Sequence, residues 1–270
     1  MISPRSLSLG RMPCLAAVLL LLLSRPAAPA QQRAESTRGQ KPDAEKQEPR
    51  AAPVEQADEK KSKLTFSLYV LNDDRNYDIN IRHQFGKVVA WAAVFYDPKG
   101  DSQARVGAEY DFQYKWLLLI PTFEAGTNGA LAGSVYSEIG EKTYAIAGYS
   151  QTNLKPFNDL FFDPSESVQI GVGRKINSYD RVYGFSIFDV RLHTHQQDTH
   201  ILWRHRIDDN NGVTFDWLYK SGRGDDGRNI RAIGIGMYYD RPTWFWKAYY
   251  DPFVNFSRQT MVRFGLGLKF

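Results

Sequence analysis

The chain has 270 residues, with 34 Lys plus Arg against 30 Asp plus Glu, one cysteine, and 14% aromatic residues. The excess of four basic residues falls largely on the N-terminal leader, and a nearly neutral remainder without a basic stripe argues against a nucleic-acid-binding surface. Mean hydropathy is −0.45, and no stretch beyond the N-terminal leader is apolar for long enough to cross a bilayer as a helix. A strand barrel hides its apolar face in alternation, so hydropathy leaves that architecture open.

Residues 1–30 have the pattern of a secretory signal peptide: Arg5 and Arg11, an apolar run from Leu15 to Leu23, and a small-x-small site at Ala28-Pro29-Ala30. Cleavage is expected after Ala30. Cys14 precedes the apolar run and leaves with it, so disulfides, zinc–thiolate sites and cysteine catalysis drop out of the processed chain. Loss of Arg5, Arg11 and Arg25 also brings the charge close to neutral. Residues 31–62 mix Gln, Glu, Lys, Ala and Pro without apolar periodicity, the composition of a disordered leader.

From Leu64 onward alternating runs succeed one another, as in an all-β protein. They predict strands over 64–71, 76–85, 88–96, 102–113, 115–125, 130–139, 142–150, 166–176, 179–192, 197–207, 212–220, 228–239, 243–250 and 258–270. These make about fourteen strands, with twelve as the alternative. The gaps between them alternate between tight and longer. Transmembrane barrels show that alternation, with short turns at one end and longer loops at the other. Many runs sort by face: Tyr77, Ile79 and Ile81 against Asp78, Asn80 and Arg82, or Val106, Ala108 and Tyr110 against Arg105, Gly107 and Glu109. Three resist. Trp116 to Ile120 and Val88 to Phe95 are apolar on both faces, and the apolar parity switches between Ile187 and Phe188, which predicts a bulge.

In the last ten residues, Val262, Phe264, Leu266, Leu268 and Phe270 alternate with Arg263, Gly265, Gly267 and Lys269. This segment resembles the C-terminal strand of Gram-negative outer-membrane β-barrels, through Arg263, Gly265, Leu268 and Phe270. The resemblance implies an antiparallel transmembrane β-barrel over 63–270 and a signal for the barrel-assembly machinery. It also implies outer-membrane lipids and lipopolysaccharide as surroundings, with the leader in the periplasm.

Face assignment puts Asp78, Arg82, Arg105, Glu109, Asp111, Arg204, Arg206, Asp216, Lys220, Lys247 and Arg263 in one lumen. Seven basic and four acidic groups there would favour anions mildly if they line a pore; salt-bridged to one another, they would plug it. His193, His195, Asp198 and His200 have spacing that suits a metal site, or a solvated turn. His83, His205, Ser134, Ser186 and Ser257 are available for a rim hydrolase, although no G-x-S-x-G elbow occurs. Acidic tips at Asp73-Asp74, Asp97 with Asp101, and Asp225-Asp226 suit divalent ions bridging lipopolysaccharide, but turn chemistry already explains them; Arg75, Lys99, Arg223 and Arg228 beside them suit contact with lipid phosphates. The expected function is a narrow, porin-like channel for small polar solutes, needing no cofactor. The alternatives are an outer-membrane lipid-modifying enzyme of the lipid A deacylase or phospholipase type and a closed structural or export-associated barrel.

Overall fold

The computed structural model describes residues 60–100, 102–152, 166–191 and 194–270. The expected signal peptide, nearly all of the expected leader, Asp101 and His193 lie outside these residues. The strands are β1 (Ser62–Val70), β2 (Arg75–Phe85), β3 (Val88–Tyr96), β4 (Gln103–Tyr110), β5 (Phe112–Tyr114), β6 (Leu117–Gly126), β7 (Leu131–Gly140) and β8 (Thr143–Thr152). They continue as β9 (Glu166–Lys175), β10 (Asp180–Asp189), β11 (Gln197–Arg206), β12 (Gly212–Arg223), β13 (Asn229–Asp240), β14 (Trp244–Asp251) and β15 (Met261–Lys269).

Every ladder is antiparallel between sequence neighbours, and β1 pairs with β15, so the sheet closes on itself. β4 and β5 are two halves of one stave. Both pair with β6 in a single register, Glu109 facing Thr122 and Phe112 facing Leu119. That register puts Pro121 opposite Tyr110; without an amide hydrogen, proline cannot complete the ladder there. The barrel therefore has fourteen staves. Turns at the end that holds Ser62 and Phe270 run from two to five residues, and none is longer than the connection before or after it.

Closure gives each strand an inner and an outer face, and directly opposed residues share one. On β15, Arg263 is 4% exposed while Phe264 is 52% exposed, so odd positions point inward. The registers carry this assignment around the wall. Outside lie Leu64, Phe66, Ile79, Ile81, Val94, Val106, Phe123, Ile170, Val172, Ile201, Ile233, Ile235, Leu266 and Leu268, all exposed. The outward-facing Asp, Glu, Lys and Arg of the described strands are Arg75, Glu166, Arg174, Asp180, Arg223 and Arg231, each within three residues of a strand end. Tyr77, Tyr96, Tyr149, Tyr219 and Tyr250 ring the long-connection end, and Trp203, Phe215, Tyr239, Trp244 and Trp246 ring the other. An apolar belt between aromatic girdles, on strands of about this length, is what a bilayer requires.

The expected bulge at Ile187–Phe188 is absent. Ile187 faces Asp198 and Phe188 faces Gln197 in an unbroken register. Arg181, Tyr183, Phe185, Ile187 and Asp189 point inward, and Ser186 points outward, where its hydroxyl pairs with Thr199 at 2.8 Å. Periodicity misled because a satisfied hydroxyl sits outside and three large apolar or aromatic groups sit inside. Inward rings are accommodated by inward glycines on the adjacent strand: Tyr144 lies over Gly173 and Phe245 over Gly267, where any Cβ would overlap the ring. These rings lie along the wall instead of projecting across the lumen.

Placing arginine at Leu266, mid-strand on the outer face, is expected to cost about 2–4 kcal/mol of stability in lipid, whereas Phe85→Arg at a strand end is expected to cost about 0–1 kcal/mol. Urea unfolding in phospholipid vesicles measures both; equal costs would contradict the outer-face assignment.

Candidate functional site

The inner wall concentrates the charge. By register, Asp78, Arg82, Arg105, Glu109, Arg204, Arg206, Asp216, Lys220, Lys247 and Arg263 all have inward parity, and Asp111 follows in the β4–β5 stave. The same registers add residues beyond these eleven. Lys63, Lys175, Arg181 and Lys269 join the basic side, and Glu124, Glu138, Asp189, Asp198, Asp240 and Asp251 join the acidic side. Seven and four become eleven and ten among the described residues, so the wall has almost no net charge. Any ion preference must come from where unpaired charges sit.

Most are paired across strands. Arg82 bonds Glu109 at 2.9 Å, and Arg105 spans Asp78 at 3.1 Å and Glu124 at 3.7 Å. Arg181 bonds Glu138 and the Tyr144 hydroxyl, and its guanidinium lies 4.7 Å from the Tyr144 ring centre. Lys269 meets Asp240, and Arg263 covers the Tyr69 ring at 4.8 Å. Lys220 is fully buried, with Asp251 at 2.7 Å and Asp198 at 3.7 Å.

Lys220 also holds the connection that follows β14. Pro252 cannot extend the ladder, and the chain turns inward, burying Val254 with Tyr69, Leu71, Phe95 and Met261; Phe256 is buried as well. The Lys220 Nζ donates to the Phe253 carbonyl at 3.4 Å and lies 5.6 Å from the Phe256 ring centre. Phe253, Asn255 and Phe256 have φ of 52°, 49° and 57°. Left-handed backbone at such residues costs on the order of 1–3 kcal/mol each, so the packing around the segment must hold it in place. The result is a built constriction on one side of the lumen near the long-connection end.

The short-turn mouth is different. Lys175, Arg181 and Arg204 are directly opposed in successive ladders, and Arg206 lies one inward position further along β11. Like charges directly opposed on a sheet destabilise it. Glu138 neutralises Arg181, but among the described residues Lys175, Arg204 and Arg206 make no ion pair. Among the described inward-facing acids at that end, Asp111 is the one that makes no ion pair.

The remaining candidates do not converge on one centre. Asp198 turns to Lys220, and His200 Nδ1 meets Asp216 at 2.9 Å. His195 is exposed in the β10–β11 connection with φ 54°. Among the described residues no three His, Cys, Asp or Glu side chains form a metal-binding group. On the outer rim His205 pairs with Asp180 at 2.8 Å, and His83 pairs with Ser62 at 2.7 Å. Ser186 and Ser257 bond Thr199 and the Val254 carbonyl instead, and Ser134 faces inward on β7. The two rim histidines therefore belong to separate pairs, one with an acid and one with a serine.

The fold and site define a closed antiparallel barrel with an apolar exterior and a charged, partly constricted interior. No family model matches the chain, and no curated protein sequence is similar to it. Among solved structures, the Acinetobacter baumannii outer membrane protein Omp33 has a TM-score of 0.52 at 7% identity, over 78% of this chain and 98% of that one. The KdgM porin reaches 0.43 at 13% identity over 77% and 99%, and the NanC porin 0.43 at 11% over 77% and 100%. At these identities the likeness is one of fold.

Replacing Lys220 with methionine would leave two buried carboxylates uncompensated and is expected to cost about 3–5 kcal/mol. Adding Asp198→Asn and Asp251→Asn should recover part of that loss. Urea titration of the variants checks this; a neutral K220M would mean that the cluster is hydrated.

Proposed function

We propose that the chain is an outer-membrane channel passing small polar solutes through its charged lumen, with a preference for anions set at the short-turn mouth. The observation that carries the reading is the run of directly opposed cations, Lys175, Arg181 and Arg204, continued by Arg206. A sheet gains no stability from such a row; Glu138 neutralises Arg181, and the other three, Lys175, Arg204 and Arg206, would line a water-filled passage and select for negative charge. A fourteen-stave wall leaves room inside beyond side-chain packing, and inward rings lying over glycines keep that room open. The barrel-assembly machinery would read Arg263, Gly265, Leu268 and Phe270. The short-turn end, which holds both ends of the sheet, would face the periplasm together with the leader, and the long connections would face outward among outer-membrane lipids.

In planar bilayers the purified protein is expected to give discrete current steps, with a reversal potential on the anion-selective side. Exchanging Arg204 and Arg206 for Asp should move that potential toward cations. Shortening 253–259 should raise the step size, because the inward-folded segment narrows the path. An absence of current steps would contradict the channel; an unchanged reversal potential in the double variant would contradict its selectivity mouth.

A further inference from the structure

At the long-connection end a cavity of about 170 Å³ opens between the β12–β13 and β14–β15 connections, lined by Arg228, Arg231, Arg258, Ser257, Phe253 and Asp226 among others. We propose that it binds the phosphomonoester headgroup of a lipid in the leaflet at that end, with the acyl chains descending along the outer wall of β13. The proposal rests on the membrane location argued above and is independent of conduction.

Three features support a built anion site. Asp226 Oδ2 receives Arg228 Nη2 at 2.7 Å and Arg258 Nε at 2.9 Å, so one carboxylate orients two guanidiniums while leaving N–H groups of Arg258 unused. Those bonds, Arg228's foremost, hold the Asp226 carboxyl well below the usual carboxylate range, so it stays ionised wherever a phosphomonoester is ionised. Among the described residues Arg231 makes no ion pair, and one acid leaves the three arginines with an excess of two positive charges. Arginine clusters suit phosphate because each planar fork donates to two oxygens. Finally, Arg258 is presented by the segment whose left-handed residues Phe253, Asn255 and Phe256 are held down by Lys220.

The surroundings favour a lipid over a free anion. β14 stops pairing with β13 at Ile235–Tyr250, and Pro252 ends β14 soon after, so β13 rises above its neighbour and leaves a lateral opening. Arg231 faces outward there. Below it on the same face are Ile233, 71% exposed, and Ile235, with Tyr250 beside them and Phe253 at the cavity edge. A cationic pocket directly above an apolar, outward-facing ledge matches a molecule with an anionic head and a hydrocarbon tail.

The test uses the full chain in detergent micelles, titrated with short-chain phosphatidic acid, phosphatidylcholine of the same chain length, or inorganic phosphate, and read by native mass spectrometry. One phosphatidic acid should be retained per protein at concentrations where the other two are not. Arg231→Gln with Arg258→Gln should weaken retention about tenfold or more, from the loss of charge-assisted hydrogen bonds. Arg174→Gln on the opposite rim should leave retention unchanged. Ile233→Ser should weaken phosphatidic acid retention alone. Arg231→Gln, which breaks no ion pair, serves if the double variant does not fold. Undiminished retention in the variants overturns the site, as does no retention by the native chain. Phosphate binding as strong as phosphatidic acid binding would overturn the lipid assignment. A protein that conducts but retains no phosphatidic acid loses this site and keeps the channel; retention without conduction does the reverse.

Discussion

Closure of β1 on β15 is the constraint on which the rest of the molecule depends. Ser62 N–H donates to the Phe270 carbonyl at 2.9 Å, and Phe270 N–H donates back to Ser62 at 3.0 Å. From that pair the register runs without interruption to Val70 opposite Val262. In hydrocarbon an unpaired strand edge leaves each amide and carbonyl unsatisfied, at a cost of several kcal/mol per group. A sheet of this length is tenable there only as a closed ring. Closure also creates the two solvents of the structure, because each strand must then turn one set of side chains out and the other in.

The charged interior follows from that division. The inward positions hold nearly equal numbers of acids and bases, and the pairs form between neighbouring strands or across intervening ones, as with Arg105 between Asp78 and Glu124 or Arg181 between Glu138 and Tyr144. These pairs fix the wall and leave little net field. What distinguishes the two ends is therefore the exception to pairing at the short-turn mouth and the inward-folded, Lys220-anchored segment toward the other.

Much of this was legible in the sequence because the period of two is local. The terminal alternation and the β4 alternation with Val106, Ala108 and Tyr110 needed no tertiary information, and strand boundaries fell within a few residues of the structure. Three things were hidden. β10 has an inward Phe185 and Ile187 and an outward Ser186, so its true parity is visible only once Arg181 is set against its neighbours. The acids Glu124 and Glu138 sat in strands whose apolar content obscured their face, which biased the charge count toward anions. The inward fold of 252–260 depends on Lys220, more than thirty residues away, and left no periodic trace; Pro252 marks only where pairing stops.

The most direct test of the central claim is nitroxide accessibility along β15 in lipid vesicles, with single cysteines placed at 262 to 268 in turn. The account expects high oxygen accessibility at 262, 264, 266 and 268 and low values at 263, 265 and 267, a strict period of two. Accessibility to water-soluble reagent on both faces, or no alternation, would contradict a closed barrel with hydrocarbon outside.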